Sequence, residues 1–351
     1  MTRIPENICI ATGIYPPEIG GPSVYARELL DALLIQKYKA SVVTYGNLKK
    51  FPTGLRHILF FLKLVFDAFQ CDFIIALDTF SVGLPAVFFS KIFRKKIVLR
   101  IGGDFLWESF VERTKEEIKL SDFYKLRRKF SIKEKIIFNL TKFVLHSVDV
   151  IVFSTEWQKN IMSESYNLNQ YKIKIIENFF PNKFFTEQVR SSDQSQNIIE
   201  KSKRVFMSPS RNIFIKNKKR LLEAFKKIKS EYPDVVLDTE SVSSEVLREK
   251  IVKSYAVVVN SFSEVSPNIV CEAIGSGVPV ILTSDNGLSE RLANMVLFID
   301  PFSVDDLVAN IKYMLDFDVY QSYKKNISLS SYSHSWDEIA QEFINLYGTS
   351  V

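Results

Sequence analysis

One feature constrains this chain more than any other: short apolar runs alternate with longer stretches whose apolar residues recur at helical spacing. Ile8–Thr12 precedes a helical pattern over Val24–Leu34. Ala40–Tyr45 precedes another from about Arg56, Phe73–Leu77 a helix over Pro85–Phe93, and Lys96–Ile101 a long helical region reaching Ser147. Val150–Ser154 and Ile173–Ile176 follow as further short runs. Runs this short and rich in Val and Ile read as strands buried on both faces, and parallel strands need helical crossovers between them. The rhythm restarts with the strands Arg204–Ser208, Val235–Asp238, Ala256–Ser261 and Pro279–Thr283, separated by helices over Lys218–Lys229, Glu245–Tyr255 and Ile269–Gly275. The fold class expected is therefore α/β, with two Rossmann-like doubly wound domains and a crevice between them. Sheets of this kind bind ligands beyond the carboxyl ends of their strands.

The expected division is 1–182 for the first domain and 183–333 for the second. Pro181–Lys203 is polar, with Ser191–Asn197 its least patterned part, and reads as a linker. Trp336–Tyr347, within 334–351, carries Ile339, Phe343, Ile344 and Leu346 at the spacing of an amphipathic helix.

A chain of 351 residues with 46% apolar residues can bury two cores of ordinary size. Its three cysteines, Cys9, Cys71 and Cys271, lie far apart in apolar runs, without the spacing of a zinc site or redox pair. They read as buried thiols of a reducing compartment. The apolar run after residue 7 is too short for a secretory signal, and Leu59–Phe69 is broken by Lys63 and Asp67. A cytoplasmic protein is expected. Residues 1–185 carry 27 Lys and Arg against 18 Asp and Glu, whereas residues 186–351 carry 19 against 22. The basic first half suits a solvated face or an anionic partner, and Lys125–Phe130 with Lys133, Lys135 and Lys142 suits peripheral contact with anionic membrane at its inner face. Nucleic-acid binding needs a basic stripe interleaved with exposed aromatics, of which Lys125–Phe130 is only suggestive, so nucleic acid is not the expected partner.

Four segments could carry chemistry. Gly13–Ser23 includes Gly20 and Gly21 just before a helix, where backbone amides can approach an anionic ligand, although the same residues also make an ordinary βα turn. Asp104 follows the strand Lys96–Ile101; it can bond a sugar hydroxyl, act as acid or base, or cap the next helix. Arg211 and Lys216 follow the strand Arg204–Ser208, where two cations suit a pyrophosphate or form a solvated basic loop. In Ser263–Val280, Glu264 and Glu272 flank a strand-to-helix turn. Carboxylates accept from vicinal hydroxyls, and the amides of the stretch Val265 to Asn268, which includes Ser266 and Pro267 at the helix start, suit a phosphate.

These segments together resemble the retaining glycosyltransferases of family 4, or group 1, which have the GT-B fold. Glu264, Glu272, Ala273, Gly277 and Pro279 match the family's Glu-x7-Glu element and the small-residue turn after it. Arg211, Lys216 and Glu223-Ala224-Phe225 match its Arg, Lys and helix, and Pro16, Pro17, Gly20 and Gly21 match its first loop. The Gly103-Asp104 to Trp107-Glu108 pattern is similar to one subgroup. Asn178 is similar to the Asn that closes the family's first domain, and the last helix is similar to the one that packs back on that domain.

The resemblance implies a metal-independent hexosyltransferase without a cofactor. Arg211 and Lys216 would hold the pyrophosphate of a UDP- or GDP-linked sugar, Glu272 the ribose and Glu264 the transferred sugar. The acceptor implied is a glycan or polyprenyl-linked sugar, as in envelope polysaccharide synthesis. Two departures stand out. Gly102-Gly103 replaces the His found in many members before Asp104, and the short connection from Asp238 to Ala256 makes the second domain read as shortened. The second departure leaves open a silent homologue that binds a glycan, lipid or partner. A sugar-nucleotide epimerase of similar fold is a third reading, disfavoured by the signature.

Overall fold

The computed structural model describes residues 4–18, 20–126, 129–182 and 203–348. The chain divides into two compact units, Met1–Phe110, Arg127–Asn178 and Trp336–Val351 in one, and Val111–Leu126 and Phe179–Ser335 in the other. Residues 183–202 of the expected linker Pro181–Lys203, and Arg127 and Arg128 of the basic segment, lie outside the described residues.

The first unit is built on a parallel sheet of β1 (Asn7–Thr12), β2 (Lys39–Thr44), β3 (Phe73–Ala76), β4 (Lys96–Ile101), β5 (Val150–Phe153) and β6 (Ile173–Ile175), in the order β2-β1-β3-β4-β5-β6. Ile10 of β1 lies opposite Val42 on one side and Ile75 on the other. The central strands β3 and β5 are buried throughout, whereas β2 and β6 expose Lys39, Ser41 and Lys174. Charged and polar side chains blunt a sheet edge against unwanted pairing, which fits these two strands to the edges.

The second unit's sheet contains β7 (Arg204–Met207), β8 (Val235–Asp238), β9 (Ala256–Val259), β10 (Val280–Thr283) and β11 (Val296–Ile299), in the order β11-β10-β9-β7-β8. Successive residues of β9 serve opposite faces. Val257 and Val259 join Val280, Leu282 and the helix Asn268–Gly275, while Val258 joins Phe206, Ile281 and the helices Lys218–Glu231 and Val304–Leu315. One helix, Ser244–Lys253, makes the connection between β8 and β9, and the sheet has five strands where the first has six. Beyond the expected strands, the structure adds β11 and the helices Val304–Leu315 and Phe317–Leu329.

Each sheet reverses direction once. The chain passes from β1 out to β2 and back to β3, and from β7 out to β8 and back to β9. β1 and β3, like β7 and β9, are hydrogen-bonded neighbours, so the loops leaving their carboxyl ends diverge and open a crevice at each reversal.

The units differ from the expected 1–182 in two places: the second unit begins at Phe179, and residues 111–126 join it. The polar groups of 111–126 find partners there: Leu120 N–H donates to Ser263 Oγ at 2.7 Å, Glu117 pairs with Arg220 at 2.7 Å, and Lys119 with Asp300 at 3.3 Å. The last helix, Trp336–Tyr347, belongs to the first unit. Trp336 meets Tyr25 edge-on at 5.0 Å, and Phe343 is fully buried. Beneath Tyr25 the buried Arg100 guanidinium stacks at 3.7 Å and donates to Asn178 Oδ1 at 2.7 Å, giving a buried cation an aromatic face and an amide in place of water.

The helix Asn268–Gly275 packs so closely on Pro181 that a Cβ at Gly275 would stand 2.0 Å from the proline Cγ, and a proline ring cannot swing aside. Gly275→Ala is therefore expected to destabilise the second unit by about 1–3 kcal/mol through overpacking. Thermal unfolding of the full chain checks this, and an unchanged transition would contradict it.

Candidate functional site

The second unit brings four of the expected site residues to its strand reversal. Arg211 and Lys216 follow β7, and Glu264 and Glu272 follow β9. Chain geometry fixes Lys216. Ile213 N–H donates to Arg211 O, Phe214–Lys216 forms one tight helical turn, and Asn217 ends it in a left-handed conformation, with φ of 54°. Asn217 Nδ2 ties the turn to Pro301 O at 2.6 Å, and Ile215 O accepts from Phe262 N–H at 2.9 Å. The turn is thus docked on the loop after β9, which carries Glu264.

The consequence is an ion pair between residues 48 apart in sequence. Lys216 Nζ lies 2.5 Å from Glu264 Oε1, with both side chains largely buried at 20% and 13% exposure. Ser261 Oγ donates to the same carboxylate oxygen. The Glu264 backbone is held as well, its N–H donating to Asp285 O and its carbonyl accepting from Gly287 N–H, both at 3.0 Å. Glu272 lies in the helix Asn268–Gly275, with Arg248 Nε 3.9 Å from its carboxylate. Ser266, Pro267 and Asn268 form the partly exposed start of that helix, where backbone N–H groups and the helix dipole favour an anion. Arg211 is exposed on its loop.

The sequence reading missed the support of this site. Glu112, from the first half of the chain, accepts from Phe214 N–H and pairs with Lys115, whose ammonium lies 5.1 Å from the Phe214 ring centroid. Burial pushes the Glu112 carboxyl up, but Lys115 and the Phe214 N–H outweigh it and hold it below the usual range. Ser263 Oγ, beside Glu264, donates to Asp285 and accepts from Leu120 N–H. No local pattern announces such partners, because Glu112 lies 102 residues from Phe214 and Leu120 lies 143 from Ser263. Only the acidic and basic residues of 112–119 hint at a segment with a polar job.

In the first unit, the loop after β1 starts the helix Gly21–Ile35. Gly20 has φ of 154°, a conformation other residues avoid, and its carbonyl accepts from Ser23 and Val24 N–H. Ile19 lies outside the described residues. Asp104 is buried, and its Oδ1 accepts from Trp107 N–H at 2.8 Å, so it caps the helix Phe105–Thr114. The sequence reading also passed over Asp78, just beyond β3 at the first unit's reversal. Its Oδ1 accepts from Phe80 and Ser81 N–H at 2.7 and 2.8 Å. An Asp-Thr-Phe-Ser run reads as an ordinary turn, which hides the burial of the carboxylate.

No protein-family model and no curated protein matches the chain by sequence. Solved structures do match. Sucrose-phosphate synthase from Thermosynechococcus elongatus superposes with a TM-score of 0.70 at 14% identity, covering 97% of this chain and 98% of that one. Anabaena HepE, in complex with UDP and glucose, superposes with a TM-score of 0.67 at 14% identity over 98% and 99%. The chain has a GT-B-like fold. A Listeria monocytogenes structure assigned as a UDP-N-acetylglucosamine 2-epimerase matches with a TM-score of 0.58 at 15% identity over 96% and 94%. The fold is thus shared by proteins of more than one activity, and the residues must carry the functional argument.

Asp78 offers a test of the first unit's loop geometry. Burial holds its carboxyl above the usual carboxylate value, so its charged form costs native stability as pH rises past about 3.9, the unfolded value. Asp78→Asn keeps an acceptor for both N–H groups and removes the charge. The variant is expected to melt above the wild type near neutral pH, the gap closing below about pH 4. Equal melting at every pH would contradict the burial argument.

Proposed function

We propose that the chain is a retaining hexosyltransferase of the family 4 type, which moves a sugar from a UDP- or GDP-linked donor to a glycan or polyprenyl-linked acceptor. The observation that carries this reading is the Lys216–Glu264 pair at the β7/β9 reversal, with Arg211 and Glu272 on the same two loops. A cation and a carboxylate that neutralise each other are a matched pair of receptors for a ligand with a charged end and a hydroxylated end. A nucleotide-sugar has both. Its diphosphate takes Lys216 and Arg211, and Glu264, released from Lys216, accepts from the sugar hydroxyls. Glu272 accepts from the ribose, and the start of its helix at Ser266, Pro267 and Asn268 favours phosphate through the helix dipole.

Charge builds on the departing diphosphate as the glycosidic bond breaks, and Lys216 and Arg211 stabilise it there without reorganising. Two cations supply the charge that a metal supplies elsewhere, so neither metal nor cofactor enters the scheme. Retention follows if the acceptor hydroxyl attacks on the face the diphosphate leaves. In the first unit, Gly20 and Gly21 offer backbone to the donor, and Asp104 receives or orients the acceptor hydroxyl. Envelope polysaccharide synthesis on the cytoplasmic side is the setting such an acceptor suggests. The HepE complexes with UDP and UDP-glucose support a uridine donor as the first to try.

The test is release of nucleoside diphosphate from UDP- and GDP-hexoses with and without glycan acceptors. Lys216→Ala and Arg211→Ala are expected to lower kcat by about a hundred-fold or more each. Asp104→Asn, which preserves the Oδ1 acceptor of the helix cap, should lower transfer by about a hundred-fold in a chain whose circular dichroism still shows it folded. No turnover of any donor by the folded chain would favour a silent binding protein, and interconversion of UDP-N-acetylhexosamines without transfer would favour an epimerase.

A further inference from the structure

The helix Thr53–Asp67 is apolar on two sides. Phe60 and Leu64 are buried toward the sheet, as a surface helix requires, but Leu55, Ile58, Leu62 and Phe66 form a second stripe at three- and four-residue spacing that points to solvent, with Phe66 82% exposed. Two further helices continue the surface. Phe88 and Ile92 are exposed on Gly83–Phe93, and Ile132, Ile136 and Phe143 on Ile132–Ser147. All three follow strands from β2 to β4 and cover one face of the first sheet by right-handed crossovers. Side chains join them: Phe88 meets Phe143 at 5.7 Å, and Phe69, just after the first helix, meets Phe93 at 5.4 Å. Soluble proteins rarely leave so many large apolar side chains together in water without a partner.

Charge selects the partner. The three helices carry six cations, Arg56, Lys63, Lys91, Lys133, Lys135 and Lys142, against two acids, Asp67 and Glu134. Glu134 is buried and spent in the capping box with Ser131. Arg94 and Lys95 add two cations at the end of the middle helix, Lys95 lying 5.8 Å from the Phe69 ring centroid. A two-fold contact with a second copy of the chain would set cations against cations. A bilayer carrying anionic headgroups accepts apolar side chains at its surface and attracts the lysines around them.

We infer that this helix layer is an interfacial docking face for anionic membrane. It stands independently of the donor-site reading. Lipid-linked acceptors would be met at such a surface, but the face itself requires only lipid.

Flotation of the full chain with vesicles of phosphatidylcholine alone, or with about a third phosphatidylglycerol, tests it. Binding is expected to the anionic vesicles at low salt and to weaken at high salt. Lys133→Ala, Lys135→Ala and Lys142→Ala should each weaken it by roughly five-fold. Ile58→Glu with Phe66→Glu should abolish it while leaving turnover of soluble substrates and the melting temperature unchanged. Absence of flotation, or flotation undiminished in both sets of variants, would overturn the inference. So would concentration-dependent self-association, measured by ultracentrifugation, that the Glu variants abolish, because it would assign the face to a second copy.

Discussion

Parallel strands covered on both faces leave little room for polar chemistry except at the loops beyond their carboxyl ends. β3, β5, β9 and β10 are buried along their whole length, so no side chain on them can meet a hydrophilic ligand. Where the strand order reverses, neighbouring loops part and their side chains converge on the opening. The second unit obeys this constraint in full. Its two candidate cations follow β7, its two candidate carboxylates follow β9, and these strands are adjacent.

Within that opening the Lys216–Glu264 pair sets the electrostatics. Taken singly, either charge at such low exposure would be costly, and the pair with Ser261 makes both tolerable. The surrounding structure keeps the pair in place from two directions: Asn217 and Ile215 anchor the lysine turn, and Asp285 and Gly287 anchor the glutamate loop. The segment 111–126 adds a third support through Glu112 and Leu120, which explains why sixteen residues from the first half of the sequence belong to the second unit. A ligand that separates Lys216 from Glu264 must satisfy both, and a sugar diphosphate presents the anion and the polyol that this requires.

The strands were legible because Val- and Ile-rich runs such as Ile97–Leu99 and Val257–Val259 have no other stable home, and the Glu264–Glu272 spacing was legible because it lies within one turn and one helix. What depended on distant partners was not. Nothing near Glu117 signals Arg220, and nothing near Asp78 signals its burial. Asp104 illustrates a different limit: the same sequence position serves as a cap and as a candidate acid or base, and only the Trp107 N–H bond shows that the cap exists. The helix Thr53–Asp67 shows a third. Its apolar residues announced a helix, but a helix apolar all round reads as buried, and only the structure shows that one stripe meets solvent.

The central claim is that the nucleoside diphosphate binds by taking Lys216 away from Glu264. Isothermal titration of UDP and GDP into the wild type, Glu264→Gln and Lys216→Ala tests it most directly. The account predicts saturable binding of one nucleotide, tightened several-fold in Glu264→Gln, where the lysine no longer has a carboxylate to leave, and lost in Lys216→Ala. Binding that is indifferent to both substitutions, or weakened by Glu264→Gln as much as by Lys216→Ala, would contradict it.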